Sequence, residues 1–282
     1  MFEFVTDLPR YSFLQYALLT GLLASFASGI VGSYVVARRI TYIADGIAHV
    51  VLGGIGVAIF LKKFYKIDGL IPLHGAIVAA FIAALLIGLV SLKAKQREDT
   101  VISALWAIGM AIGIIFISKT PGYNEDLISY LFGNILMVSP SDLWLLAILD
   151  LLVISFGVFF YHQFFAVCFD EEFARIRGLN VEFYYLLLLC LTAITVVVLT
   201  TVVGVVMVVA LITLPVAIVG LFCRTLWKTM VVSILVSCFF TTFGLALSYV
   251  PDWPAGATII LLAGIAYLIA SSIDWAWKRG RS

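Results

Sequence analysis

The sequence predicts an all-α integral membrane protein, a polytopic bundle of about eight to nine transmembrane helices, and three observations carry that prediction. Hydrophobic residues make up 63% of the chain and charged ones 12%, against about 25% charged in an ordinary soluble domain, so there is too little polar surface for water. The apolar residues also fall into nine runs of membrane length, since a hydrocarbon core of about 30 Å takes about 20 helical residues. Finally, only helices and closed barrels satisfy the backbone inside a bilayer, and runs this long exclude a barrel.

The first segment, Met1 to Tyr11, carries Glu3 and Asp7 beside a single Arg10. That is the wrong charge for the basic start of a cleaved signal, so the apolar run after it is expected to be retained. The runs cover residues 12–36, 43–61, 71–92, 100–118, 141–164, 182–201, 204–222, 229–249 and 255–273. The sixth and seventh are joined only by Val202 and Val203, with Thr200, Thr201 and Gly204 beside them. Either they form a tight hairpin, or one of them is a partial, re-entrant helix.

Between the fourth and fifth runs, residues 126–138 contain an apolar stretch too short to cross and are expected to be interfacial or re-entrant. Gly21, Ser25 and Gly29, and again Gly53, Gly54 and Gly56, have the small-residue spacing that lets helices approach closely in lipid. Pro215, inside the seventh run, is expected to kink its helix.

Basic residues set the orientation. With the N-terminus outside and nine crossings, the cytoplasmic loops and tail hold Arg38, Arg39, Lys93, Lys95, Arg97, Arg175, Arg177, Arg224, Lys228, Lys278, Arg279 and Arg281, twelve of the seventeen. Lys62, Lys63 and Lys66 count against this arrangement.

The longest polar connection, residues 169–180, reads as a compact helix on the same face. Asp170 can cap it, Glu171 and Glu172 fill its first turn, and Gly178 ends it, a charge order that suits the helix dipole. Such a helix is a candidate docking element.

Asp45 and His49 are four residues apart inside an apolar segment, so both project from one face of a helix, where a metal ion can be held between them. The bland alternative is an Asp–His hydrogen bond that satisfies two buried polar groups. Mixed oxygen and nitrogen donors suit Mn(II), Zn(II) or Fe(II), and affinity order alone does not choose among them. Two ligands are an incomplete site; a homodimer with these helices at its twofold axis would supply four.

Asp150, in the middle of the fifth run, either lines the pathway or is protonated or paired against a neighbouring helix. His74 and His162 fall near the interfaces, as do Tyr249, Trp253, Trp275 and Trp277. Cys168, Cys190, Cys223 and Cys238 show no ligand spacing and read as small buried hydrophobes.

Other function classes lack support. A net charge of +1 without a basic stripe argues against nucleic acid. There is no GxxxxGK[ST] loop for ATP and no HExxH for a zinc protease, so any driving energy comes from a partner or an ion gradient. A proton- or sodium-coupled carrier using Asp150 and Asp45 is the competing reading. It needs no docking helix.

Several motifs resemble the zinc/manganese/iron-chelate permease family of bacterial ABC importers, from about residue 12 to residue 270. Asp45-Gly46-Ile47-Ala48-His49 is similar to the family's D-A-L-S-H, and residues 126–139 to its SYLFG-IL-VS stretch. Residues 170–178 are similar to its D-P-E-F-A-R-x-x-G, and residues 203–215 and 254–256 complete the likeness. The departures are Glu171 for proline, Gly46 for alanine and Ala48 for serine.

The resemblance implies a type II ABC importer-like fold, with residues 1–282 as one permease domain in a bacterial inner membrane and a cytoplasmic C-terminus. It implies a homodimer or a paired related chain, and cytoplasmic ABC ATPases docked at about residues 170–178 through Glu171, Glu172, Phe173, Arg175 and Gly178. An extracytoplasmic metal-binding protein would deliver Mn, Zn or Fe(II) to Asp45 and His49, with no cofactor bound permanently and no catalysis by this subunit. A permease for a bulky metal chelate is the neighbouring alternative.

Overall fold

The computed structural model describes residues 2–66, 69–93, 98–120, 133 and 135–279. A short helix α1 (Phe2–Asp7) precedes α2 (Ser12–Arg38), α3 (Thr41–Tyr65), α4 (Pro72–Lys93) and α5 (Glu98–Ser118). After a 3₁₀ turn at Ile135–Met137 come α6 (Pro140–Phe159), α7 (Tyr161–Phe169) and α8 (Glu171–Ile176). The chain ends with α9 (Val181–Val203), α10 (Val205–Phe222), α11 (Leu226–Tyr249) and α12 (Ala255–Arg279). Among the described residues there is no strand, and nine helices are long and apolar enough to cross a membrane.

Helices α2, α3 and α9 are buried along most of their length, whereas α4, α5, α6 and α12 are largely uncovered. The exposed residues keep helical spacing, as in Val78, Ile82 and Leu85 on α4 or Leu261, Ile265 and Leu268 on α12. In water such stripes would drive association. Against lipid tails they are already solvated, so contact between helices rests on close packing.

That packing depends on glycine where backbones meet. A methyl group at Gly53 of α3 would come within 2.6 Å of the Gly109 carbonyl oxygen of α5, and one at Gly56 within 2.6 Å of the Gly113 carbonyl. Gly54 meets Gly75 of α4 in the same way. On α2, Gly21 lies against Thr241 and Gly29 against Ile234, so α2 and α11 run antiparallel.

Contacts at the two ends of the bundle fix which loops share a face. At one end Arg38 pairs with Glu171, and the Ser91 and Tyr185 hydroxyls lie 3.0 Å apart. At the other, the Tyr249 hydroxyl donates to Asp7 Oδ2 at 3.0 Å while its ring meets Phe4 edge-on. Since α9 starts at the Arg38 end and α11 finishes at the Asp7 end, α10 must run back between them. The alternative left open by the sequence therefore resolves as a hairpin. Its joint is Gly204 alone, at φ 89° and ψ 155°, a backbone conformation natural to glycine. At 18 residues, α10 is about 27 Å long, just enough to cross. The helix continues through Pro215.

The expected fifth span, 141–164, is corrected: it breaks at Phe160 into α6 and α7. The Gly157 carbonyl accepts a hydrogen bond from the buried Tyr34 hydroxyl at 2.8 Å. That carbonyl would otherwise serve the next helical turn, and the rings of Phe159, Phe160 and Phe164 pack around the break. Of residues 126–138, only Gly133 and 135–138 are among the described residues, so the rest of that expectation lies outside them. Gly133 rests on the backbone of Val203 and Gly204.

Candidate functional site

Two residues, Arg39 and Ile40, separate α2 from α3, and Asp45 and His49 lie about 6 and about 12 Å along the α3 axis, counted from Thr41. The two side chains share a face, with His49 Nδ1 3.5 Å from Asp45 Oδ1. Nδ1 is closer to the Asp45 backbone carbonyl, at 2.9 Å. A carbonyl oxygen only accepts, so Nδ1 carries the proton in that bond. In the neutral tautomer that makes this bond the lone pair is at Nε2, the atom that can ligate a metal. The carboxylate is not consumed by the imidazole, and the Asp45 side chain is 42% exposed against 17% for His49.

Helix α5 braces this face. The Trp106 ring meets the His49 ring edge-on at 5.0 Å between centroids. One turn earlier, a methyl group at Gly46 would sit 2.8 Å from Ile102 Cγ2, which accounts for glycine where the resembling motif has alanine. Among the described residues no third His, Cys, Asp or Glu joins the pair. Two donors by themselves are fewer than the four that close a tetrahedral metal site.

Beyond His49, a groove of about 420 Å³ between α3, α4 and α5 is lined by Val50, Gly53, Gly54, Val78, Gly109 and other apolar groups, with His74 as its polar side chain. His74 Nδ1 accepts from the Ile71 N–H at 3.4 Å, at the start of α4, so it serves the helix end. His162 is exposed.

Asp150 is elsewhere. It is 6% exposed on α6, among the described residues neither carboxylate oxygen has a hydrogen-bond partner of ordinary geometry, and its neighbours are the Ala27 backbone of α2 and Cys238 of α11. It is therefore not brought to the Asp45–His49 face. All four cysteines are free, and Cys168 Sγ lies 3.8 Å from the Tyr34 carbonyl that it donates to.

At the Arg38 end of the bundle, α8 forms as its sequence requires. Asp170 caps it by accepting from the Phe173 N–H at 2.9 Å. Phe173 and Ile176 project outward, with the Arg177 guanidinium 4.8 Å above the Phe173 ring. Glu172 and Gly178 are exposed, and Arg175 faces Glu182 at 3.7 Å. Glu171, expected to share in docking, turns inward to Arg38. Sequence reasoning missed that pairing and the Trp106 contact. The replacement of proline by a carboxylate at Glu171 was the available signal for the first, and spacing held none for the second.

Comparison with known proteins follows the same lines. A model of the ABC 3 transport family matches residues 10–274. The chain is 44% identical over 268 residues to a Chlamydia pneumoniae protein named a probable metal transport system membrane protein, covering 93% of this chain and 91% of that one. It is 36% identical over 267 residues to the manganese transport system membrane protein MntC of Listeria monocytogenes, covering 95% and 92%. The solved structure of PsaBC from Streptococcus pneumoniae in complex with Fab superposes with a TM-score of 0.83 at 30% identity, covering 95% of this chain and 94% of that one. On these matches and on its nine apolar helices, the chain belongs to the ABC 3 transport family and is a membrane-spanning permease of an ABC transport system.

Proposed function

We propose that this permease passes a divalent transition-metal ion, Mn(II), Zn(II) or Fe(II), into a bacterial cytoplasm across the inner membrane, and that Asp45 and His49 touch the ion on its way. One observation carries the reading: a membrane helix presents an imidazole with its Nε2 free beside a half-exposed carboxylate. An ionisable pair on a membrane-spanning helix is costly in lipid, and a borderline cation compensates the charge and takes both donors. Manganese is the first candidate, because two of the relatives named above are a manganese and a metal transport protein.

Two copies, or this chain with a related one, would supply two carboxylates and two imidazoles around the ion. The metal is cargo delivered by an external solute-binding protein. ATP hydrolysis belongs to cytoplasmic ATPases docked on the exposed face of α8, where apolar Phe173 and Ile176 are flanked by Glu172 and Arg175, with Gly178 at its end. The whole of 1–282 acts as one permease domain with the N-terminus outside and the C-terminus in the cytoplasm. Asp150, buried beside α2 and α11 and away from the Asp45–His49 pair, is a second group that the moving helices bring to the pathway.

Mn(II) uptake into proteoliposomes holding this chain and its ATPase partner tests the reading, with Zn(II) and Fe(II) as competitors. Asp45→Ala and His49→Ala should each abolish ATP-driven uptake while the ATPase still co-purifies. Undiminished uptake in either variant removes the ion-handling role. Uptake driven by an ion gradient without the ATPase would favour a secondary carrier.

A further inference from the structure

We propose that the Arg38–Glu171 ion pair is the link through which α8 moves the metal-binding turn of α3, an inference that rests on the permease reading above. Arg38 is the last residue of α2, and only Arg39 and Ile40 separate it from α3. Asp45 follows in the second turn. A displacement of the Arg38 side chain therefore acts on the start of the helix that holds both donors.

Glu171 is the first residue of α8. Its side chain turns away from the face that Phe173 and Ile176 expose, and both partners of the pair are mostly buried, with side-chain exposures of 24% for Arg38 and 21% for Glu171. Charges partly withdrawn from water hold each other more firmly than a solvated pair does. The position adds to this, because a carboxylate in the first turn also faces the positive end of its helix.

The pair is seated in rigid surroundings. The Arg38 guanidinium lies 5.5 Å from the centre of the Tyr185 ring on α9, whose hydroxyl meets Ser91 of α4. On the other side, Tyr34 of α2 is fixed to Gly157 and packs edge-on against Phe164 of α7. By contrast Arg175 and Glu182, at 3.7 Å and more than half exposed, are a solvated contact that a moving α8 can give up. Of the ion pairs that α8 makes among the described residues, the one to Arg38 is thus the firm attachment, and it ends seven positions before Asp45. A force on α8 reaches α3 through it. Coupling of this kind is a free energy shared by two sites, so breaking the link must lower transport per ATP without abolishing either partner reaction.

The test uses proteoliposomes holding this chain with its ATPase partner, reading Mn(II) ions taken up per ATP hydrolysed, ATPase capture and thermal melting. Arg38→Gln should lower the uptake ratio at least about 5-fold while capture and hydrolysis persist. The exchange Arg38→Glu with Glu171→Arg should restore most of it. A ratio within about 2-fold of wild type in Arg38→Gln, or an exchange as poor as the single variant, overturns the link. Loss of ATPase capture in Arg38→Gln overturns it too, because Arg38 would then merely hold the docking helix. Failure of the underlying reading shows separately, as wild-type uptake that ignores ATP or survives Asp45→Ala.

Discussion

Replacing Gly53 by alanine tests whether backbone contact between α3 and α5 sets the position of Asp45 and His49. The new methyl carbon would lie 2.6 Å from the Gly109 carbonyl oxygen, whereas ordinary contact begins at 3.4 Å, so the helices must part by about 0.8 Å. The obstacle is backbone and no side-chain rotation relieves it. Overpacking of this kind costs about 1–3 kcal/mol. Alanine also returns about 1 kcal/mol in helix propensity, so the fair comparison is Gly264→Ala in α12, where nothing lies within 4 Å of the added methyl. The difference between the two variants isolates the crowding.

At about 2 °C per kcal/mol for a chain of this length, Gly53→Ala should melt about 2–6 °C below Gly264→Ala in detergent, by intrinsic fluorescence or size-exclusion thermostability. Because Gly53 is one turn beyond His49, and Gly109 three residues beyond Trp106, metal uptake should fall in the same variant. A Gly53→Ala protein that melts with or above Gly264→Ala refutes the packing argument.

Asp150→Leu removes a buried carboxylate from the membrane interior, where an aspartate costs about 2.5–3.5 kcal/mol on an insertion scale. The variant should melt higher than wild type, and Mn(II) uptake should fall; unchanged uptake with raised stability would leave Asp150 outside the pathway. Asp170→Ala deletes the α8 cap, worth about 1 kcal/mol, so ATPase capture measured by titrated pull-down should weaken about 5-fold at that energy, and undiminished capture would show that the docking surface does not need the helix preformed.

The parts legible in the sequence are those written in local pattern. Nine apolar runs became nine spanning helices, the four-residue spacing of Asp45 and His49 became a shared face, and Asp170 capped the helix it precedes. What was not legible depends on partners distant in the chain. Nothing around Phe160 marks a helix end, because the bond that competes with the helix comes from Tyr34, more than a hundred residues earlier. Asp150 reads from its depth along one helix as either lining a pathway or packed against a neighbour, and the neighbours that surround it, α2 and α11, come from distant parts of the chain. Glu171 reads as one more acidic residue in the first turn of a docking helix until Arg38 is seen beneath it. In lipid, where apolar faces attract no more strongly to protein than to tails, pairings are chosen by small residues and isolated polar contacts, and a single sequence does not say which of these meet.

The joint at Gly204 gives the two segments it connects no slack. A lengthy tether would let each swing by itself, but one residue wedged beneath Gly133 transmits any tilt of the later segment directly to the earlier one. At that rim the two must travel as a hinged plate, and even one inserted residue there should lower Mn(II) uptake in proteoliposomes while leaving each segment able to insert.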